Sequence, residues 1–224
     1  MIKMIFKEIL RKSGKTYLID PQIPNGLFVN VLLNRLYMLL RGFFLMRQKI
    51  FIGKNCKILN KSNFKIGKGV TIGHNTILDG YASTKIIFGD YAKIGAYSCL
   101  TTTSHLSKYG VGLVMGSNSA IGDYTHFGAS GGIKIGNDVI MGSYISFHSE
   151  NHSFSDKSIL IREQGVTSVG IILGNNIWVG AKVTFLDGCI VGNNCVVAAG
   201  AVVNGQYPDN CIIGGIPAKI IKTI

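Results

Sequence analysis

An aliphatic or aromatic residue directly followed by glycine recurs along the chain, among other places at Ile52, Ile66, Ile72, Phe88, Ile94, Met115, Ile121, Phe127, Ile135, Met141, Leu173, Val179 and Val191. Many of these anchors lie six residues apart, as at 66–72, 88–94, 115–121, 121–127, 135–141 and 173–179. Four residues after an anchor a small or β-branched residue returns, among them Cys56, Val70, Thr76, Ala92, Ser98, Ser119, Thr125, Val139, Val183 and Cys195. Offsets of four and six are both even, so in extended chain these side chains leave one side, which must be the core. A helix would scatter positions spaced by six, and its interior glycines would cost roughly 1 kcal/mol each. The pattern therefore predicts short strands with glycine at each corner, where φ can be positive, stacked into a solenoid from about Ile52 to Ile221.

The period lapses twice, at Ser104–Val114 and at Ser153–Gly170, where the sequence turns polar and charged. Loops that leave a solenoid usually carry surface function, and the second begins beside two histidines. Ahead of the repeats, Gly26–Lys49 has a helical, very apolar pattern interrupted by Asn30, Asn34, Arg35 and Arg41. Those four residues argue against a spanning helix and leave two placements open, packing on the solenoid end or lying on a membrane surface. The expected organisation is a basic, partly helical segment over 1–50 and a solenoid domain over 51–224, with loops at 104–114 and 153–170.

Composition narrows the classes further. With 29 Gly, 15% charged and 47% hydrophobic residues, the 224-residue chain is too apolar for disorder, and its glycines lack the three-residue period of collagen. Five cysteines form no CxxC pair and no leader-like apolar segment opens the chain, so reduced thiols in a bacterial-type cytoplasm are expected, with Cys189 and Cys195 as core fillers. A net charge of +12 calls for anionic partners: nucleic acid, anionic lipid or a polyphosphate cofactor. Residues 1–50 hold nine Lys or Arg against Glu8 and Asp20, so +7 of that charge sits there.

Three further stretches carry chemistry: Phe147-His148-Ser149-Glu150-Asn151-His152 at the start of the second loop, Gly174-Asn175-Asn176-Ile177-Trp178-Val179-Gly180-Ala181, and Val197-Ala198-Ala199-Gly200 with the later Gly214-Gly215-Ile216-Pro217-Ala218-Lys219. With the hexapeptide unit they resemble the hexapeptide-repeat acyltransferases. Within these the chain is similar to the sugar O-acetyltransferase branch of galactoside, maltose, capsule and O-antigen acetyltransferases. The resemblance implies an all-β, left-handed parallel β-helix, a handedness that periodicity cannot give. It implies a cytoplasmic homotrimer that takes acetyl-CoA and a saccharide acceptor, lipid-linked or free, with no metal and no nucleic acid.

Residue by residue, the family's general base falls on His152. Glu150, two positions earlier, would share its face in extended chain and orient the ring. His126 and His148 fall where the acceptor is met. An imidazole near its ordinary pKa of about 6.5 can take the proton of an alcohol and return it to a departing thiolate. Family positions that contact the cofactor fall on Trp178, Ala181, Ala199, Asn204, Gly205, Lys219 and Lys222. Ala181 stands where a hydroxyl residue is common, Asn204-Gly205 where Thr-Lys is common, and the two lysines replace arginines while keeping the charge.

Rival classes keep specific residues. The γ-type carbonic anhydrases share the implied fold and bind zinc through three histidines across a trimer, which would cast His126, His148 and His152 as ligands. Their paired histidines are five apart, against four here. A xenobiotic such as an antibiotic is the alternative acceptor, and a non-catalytic scaffold is a third class. His74 and His105 are expected to be structural.

Overall fold

The computed structural model describes Lys3 and residues 19–103 and 108–224. The basic residues Lys7, Arg11, Lys12 and Lys15, Glu8, and His105 lie outside the described residues. Beyond the helix the chain winds through two- and three-residue strands that form three parallel sheets, the faces of a solenoid. The first face starts at Phe51–Ile52 and includes Trp178–Val179, the second runs from Lys57–Leu59 to Val202–Val203, and the third from Phe64–Ile66 to Gln206–Tyr207. This is the architecture of the left-handed parallel β-helix, as expected.

Register shows how the six-residue unit builds a coil. Val179 pairs with Val197, so one uninterrupted turn takes eighteen residues, three units of six. Longer steps, such as Met141 to Val179, mark turns that carry an insertion. Within each strand the anchor points inward, and Phe127, Phe147 and Phe185 stack on successive rungs with centroids 5.3 and 5.0 Å apart. The small residues of the unit are buried too, apart from the half-buried Cys56. Where they bear a hydroxyl it finds a backbone partner, as Ser119 Oγ donates to Gly136 O at 2.7 Å and Ser98 Oγ accepts the Thr125 N–H at 3.3 Å.

The glycines work differently from the sequence expectation. The backbone in the left-handed region is not at the repeat glycine but two residues later, at Asn55, Asn75, Tyr97, Tyr124, Tyr144 and Lys182 along one edge. A Cβ on Gly95 would lie 2.3 Å from the Gly122 carbonyl carbon of the next rung, so close approach between rungs is what excludes a side chain there. Asparagine suits the left-handed position and tyrosine does not. At Tyr97, Tyr124 and Tyr144 the rings stack 4.9 Å apart and nearly parallel, which offsets part of that strain.

Both solenoid ends are covered. The helix Asn25–Met46 lies across the first rung, burying Phe28, Met38 and Gly42 and ending at Arg47 in the left-handed region. Its two arginines face the seat: Arg35 lies 3.5 Å over the Phe51 ring and Arg41 Nε donates to Ile52 O at 2.9 Å. At the far end Ala218–Thr223 folds back antiparallel on Cys211–Gly215 and covers that edge. Cys189, Cys195 and Cys211 are buried, and burial pushes the thiol pKa up to about 12 at Cys189 and about 11 at Cys211, so both stay protonated core groups.

Candidate functional site

The two insertions leave from the same edge of the solenoid, between the second and third faces. The first gives way to the strand Leu113–Met115, so the polar excursion ends two residues before the expected 114. The second leaves as a hairpin in which Asn151–His152 pairs antiparallel with Val166–Thr167, with a 3₁₀ turn at Ile161–Glu163. Its base is pinned at both feet. Buried Ser149 donates to Gly128 O at 2.7 Å and accepts the Gly131 N–H at 2.9 Å, while Asp187 accepts the N–H groups of Val169 and Gly170 at 2.9 and 2.7 Å.

The second face presents the other two histidines. Strands His126–Gly128 and Ser146–His148 are neighbours in register, with Phe127 opposite Phe147 and Gly128 opposite His148. Because the phenylalanines point inward, alternation sends the flanking His126 and His148 outward. Their rings meet at 5.8 Å, tilted by 32°, and Ser146 Oγ lies 2.7 Å from His148 Nε2. Partial burial, and then the neighbouring His148, hold the His126 pKa below its ordinary value, so His126 is a neutral imidazole at neutral pH.

His152 stands on the first hairpin strand, four residues past His148 and around one corner. It is exposed, its backbone is held by the pairing with Val166, and among the described residues its ring makes no side-chain hydrogen bond. No bond joins it to Glu150. That carboxylate instead forms an ion pair with Lys108 at 3.0 Å and accepts a hydrogen bond from Ser168 Oγ at 3.3 Å. Lys108 and Ser168 carry no sequence signal of this role. They lie 42 residues before and 18 after Glu150, and only the fold brings the feet of the two insertions together.

The proposed cofactor positions divide between the edges of that face. Ala181 and Ala199 sit on successive rungs at the edge shared by the first and second faces. Lower on this edge the equivalent N–H groups are capped, Lys54 by His74 Nδ1 and Ala96 by Asp123 Oδ1. Among the described residues no group accepts the N–H of Ala181 or Ala199. Trp178 is on the first face and 59% exposed, and Lys219 and Lys222 project from the C-terminal hairpin beyond it. Asn204 and Gly205 lie apart from these, at the edge from which the His152 hairpin emerges. On the third face, at the other side of that hairpin, a groove of about 470 Å³ runs between Lys85, Val114, Lys134, Val169 and Ile172. No group of three or more His, Cys, Asp or Glu side chains able to hold a metal ion occurs among the described residues.

A three-faced parallel β-helix built on six-residue units, with a histidine-bearing face and exposed basic groups at one end, defines a hexapeptide-repeat protein. Residues 170–205 match the family described as bacterial transferase hexapeptide (six repeats). Over 174 residues the chain is 29% identical to a protein of Escherichia coli (strain K12) provisionally named lipopolysaccharide biosynthesis O-acetyl transferase WbbJ, covering 75% of each. It is 26% identical over 142 residues to the galactoside O-acetyltransferase of the same strain, covering 60% of this chain and 64% of that one. Among solved structures, a hexapeptide-repeat acetyltransferase of Vibrio cholerae O1 biovar eltor, complexed with acetyl coenzyme A, superposes with a TM-score of 0.52 at 22% identity, covering 61% of this chain and 69% of that chain. In repeat, fold and relatives the chain is thus similar to the hexapeptide-repeat acyltransferases.

Proposed function

We propose that this acyltransferase moves the acetyl group of acetyl-CoA to a sugar hydroxyl during synthesis of a bacterial surface polysaccharide, working in the cytoplasm as a homotrimer. Relatives named as lipopolysaccharide and galactoside O-acetyltransferases support the acceptor class. The observation that carries the assignment of chemistry is the placement of His152: an exposed, uncommitted imidazole on a backbone pinned at its base, one corner from the His126 and His148 face.

Acetyl-CoA supplies an activated acyl thioester. His152 takes the proton of the acceptor hydroxyl as its oxygen attacks the acyl carbon, and returns it to the sulfur as the C–S bond breaks. No covalent enzyme intermediate is needed. His126, neutral, and His148, bonded to Ser146, offer hydrogen bonds to neighbouring sugar hydroxyls. For the donor, the free N–H groups of Ala181 and Ala199 suit amide carbonyls of the pantetheine arm, exposed Trp178 offers an apolar wall, and Lys219 and Lys222 suit phosphates. The exposure of Trp178 and His152 in a single chain fits a cleft completed by a neighbouring subunit.

Mass spectrometry of products from acetyl-CoA and a panel of cell-surface saccharides tests the reading. It predicts one acetyl group added to a saccharide, at a rate about 10²–10⁴-fold lower when His152→Ala replaces the wild type. Acetylation confined to antibiotic hydroxyls would move the acceptor to the xenobiotic class. Stoichiometric zinc with carbon dioxide hydration would contradict acyl transfer altogether.

A further inference from the structure

The helix-covered end of the solenoid has an unusual surface. Leu33, Leu36, Tyr37, Leu40, Phe43 and Phe44 all face away from the seat, and Phe44 is 73% exposed. The only charged residues of Asn25–Met46 are Arg35 and Arg41, and both are turned inward onto Phe51, Thr71 and Ile52. The outward side is therefore uncharged and mostly apolar, with Asn30 and Asn34 among its exposed polar residues, the reverse of a soluble surface helix.

Charge surrounds this strip. Between Asp20 and Asp79 the chain has no acidic residue and nine basic ones. Lys54, Lys57, Lys61, Lys65 and Lys68 are exposed and spread around the first coil, Lys57 and Lys65 on its second and third faces and the others at its corners, directly behind the helix. Arg47 and Lys49 are exposed at the helix C-terminus, where Lys61 Nζ also reaches Leu45 O at 3.2 Å.

We infer that this end is a docking surface for an anionic membrane: the helix lies in the interface with its apolar strip among the acyl chains, and the lysine ring meets the phosphate headgroups. The ring selects a lipid surface over a second copy of this chain, whose matching end would bring like charges together. A spanning placement would strip the helix from its seat and drag Arg35 and Arg41 into hydrocarbon, so the helix lies flat. His126 is three rungs and His148 four rungs above the first coil along the second face, which at about 4.8 Å per rung sets them about 14–19 Å from the end of the sheet. On the saccharide reading, that height fits a sugar carried some distance above the headgroups by a lipid.

The test is co-sedimentation of the full chain with vesicles of phosphatidylglycerol and phosphatidylcholine, against phosphatidylcholine alone, with light scattering of the free protein. Binding to the anionic vesicles is expected at low salt and should fall at least tenfold on neutral lipid or at high salt. Leu40→Glu with Phe44→Glu should lower binding at least tenfold while circular dichroism and mass stay unchanged. Lys57→Glu with Lys61→Glu should lower it by a similar factor, each basic residue near such a surface contributing about fivefold. Absence of binding to anionic vesicles at low salt would overturn the inference. So would apolar-strip variants that change the mass in solution but not vesicle binding, which would mark the strip as a contact between copies. Vesicle binding requires neither donor nor acceptor, so its failure leaves the acyl-transfer reading to stand or fall on its own assay.

Discussion

Lys108 donates to the Glu150 carboxylate at 3.0 Å, tying the return of the first insertion to the strand that leads into His152. The pair is 36% and 23% exposed, so it adds at most about 1 kcal/mol to stability. Its larger effect is expected on geometry. Lys108→Met should lower kcat roughly tenfold with KM for acetyl-CoA unchanged, since small misplacement of a base is costly. Lys108→Arg should restore most of the loss, and the double variant with Glu150→Gln should be no worse than either single one. A Lys108→Met enzyme with wild-type kcat would show that the tie is only structural.

The repeat was legible because its offsets are even: anchors and small residues spaced by four and six must share one face of an extended chain, and Phe127, Phe147 and Phe185 do. The role of the repeat glycines is not legible in the repeat itself. Nothing in one strand shows that Gly95 abuts the next rung, and that packing, rather than its own φ, is what excludes a Cβ. Helix boundaries shifted for a local reason, the chain leaving the helix at Arg47 where φ turns positive. The pairing of His126 with His148 needs the coil length, because rungs here are twenty residues apart and the rings meet diagonally. Lys108 and Glu150 depend on two irregular insertions, whose paths no periodicity dictates.

His126 provides a signature in pH. Its folded pKa lies below the ordinary value, through burial first and His148 second. Between that folded value and about 6.5 the unfolded chain binds more protons, so this contribution to stability is complete above about pH 6.5 and is lost as pH falls through the folded value. Wild type should lose more stability than His126→Gln when urea midpoints are compared at about pH 7.5 and about pH 5. In an NMR titration His148→Gln should raise the His126 pKa. A His126 pKa at or above the ordinary value would contradict the geometry.

Packing in the stacked core can be read directly. Phe147 is fully buried between Phe127 and Phe185, and Phe147→Ala should cost about 3–5 kcal/mol in urea unfolding. A loss below about 1 kcal/mol would mean that the coil collapses around the gap.

The donor end is tested by charge. Lys219→Ala with Lys222→Ala should raise KM for acetyl-CoA about tenfold and weaken its salt dependence, with kcat little changed. Unchanged affinity would place the phosphates elsewhere, with the exposed lysines of the first coil too distant to substitute for them.

The general-base assignment turns on one comparison of turnover. With the true acceptor, His152→Ala is predicted to lose about 10²–10⁴-fold in kcat, roughly 3–5 kcal/mol of transition-state stabilisation, while still binding acetyl-CoA. His148→Ala, four residues upstream and bonded to Ser146 in the native chain, should lose far less. Near-normal turnover by His152→Ala would contradict the mechanism even with the β-helix intact.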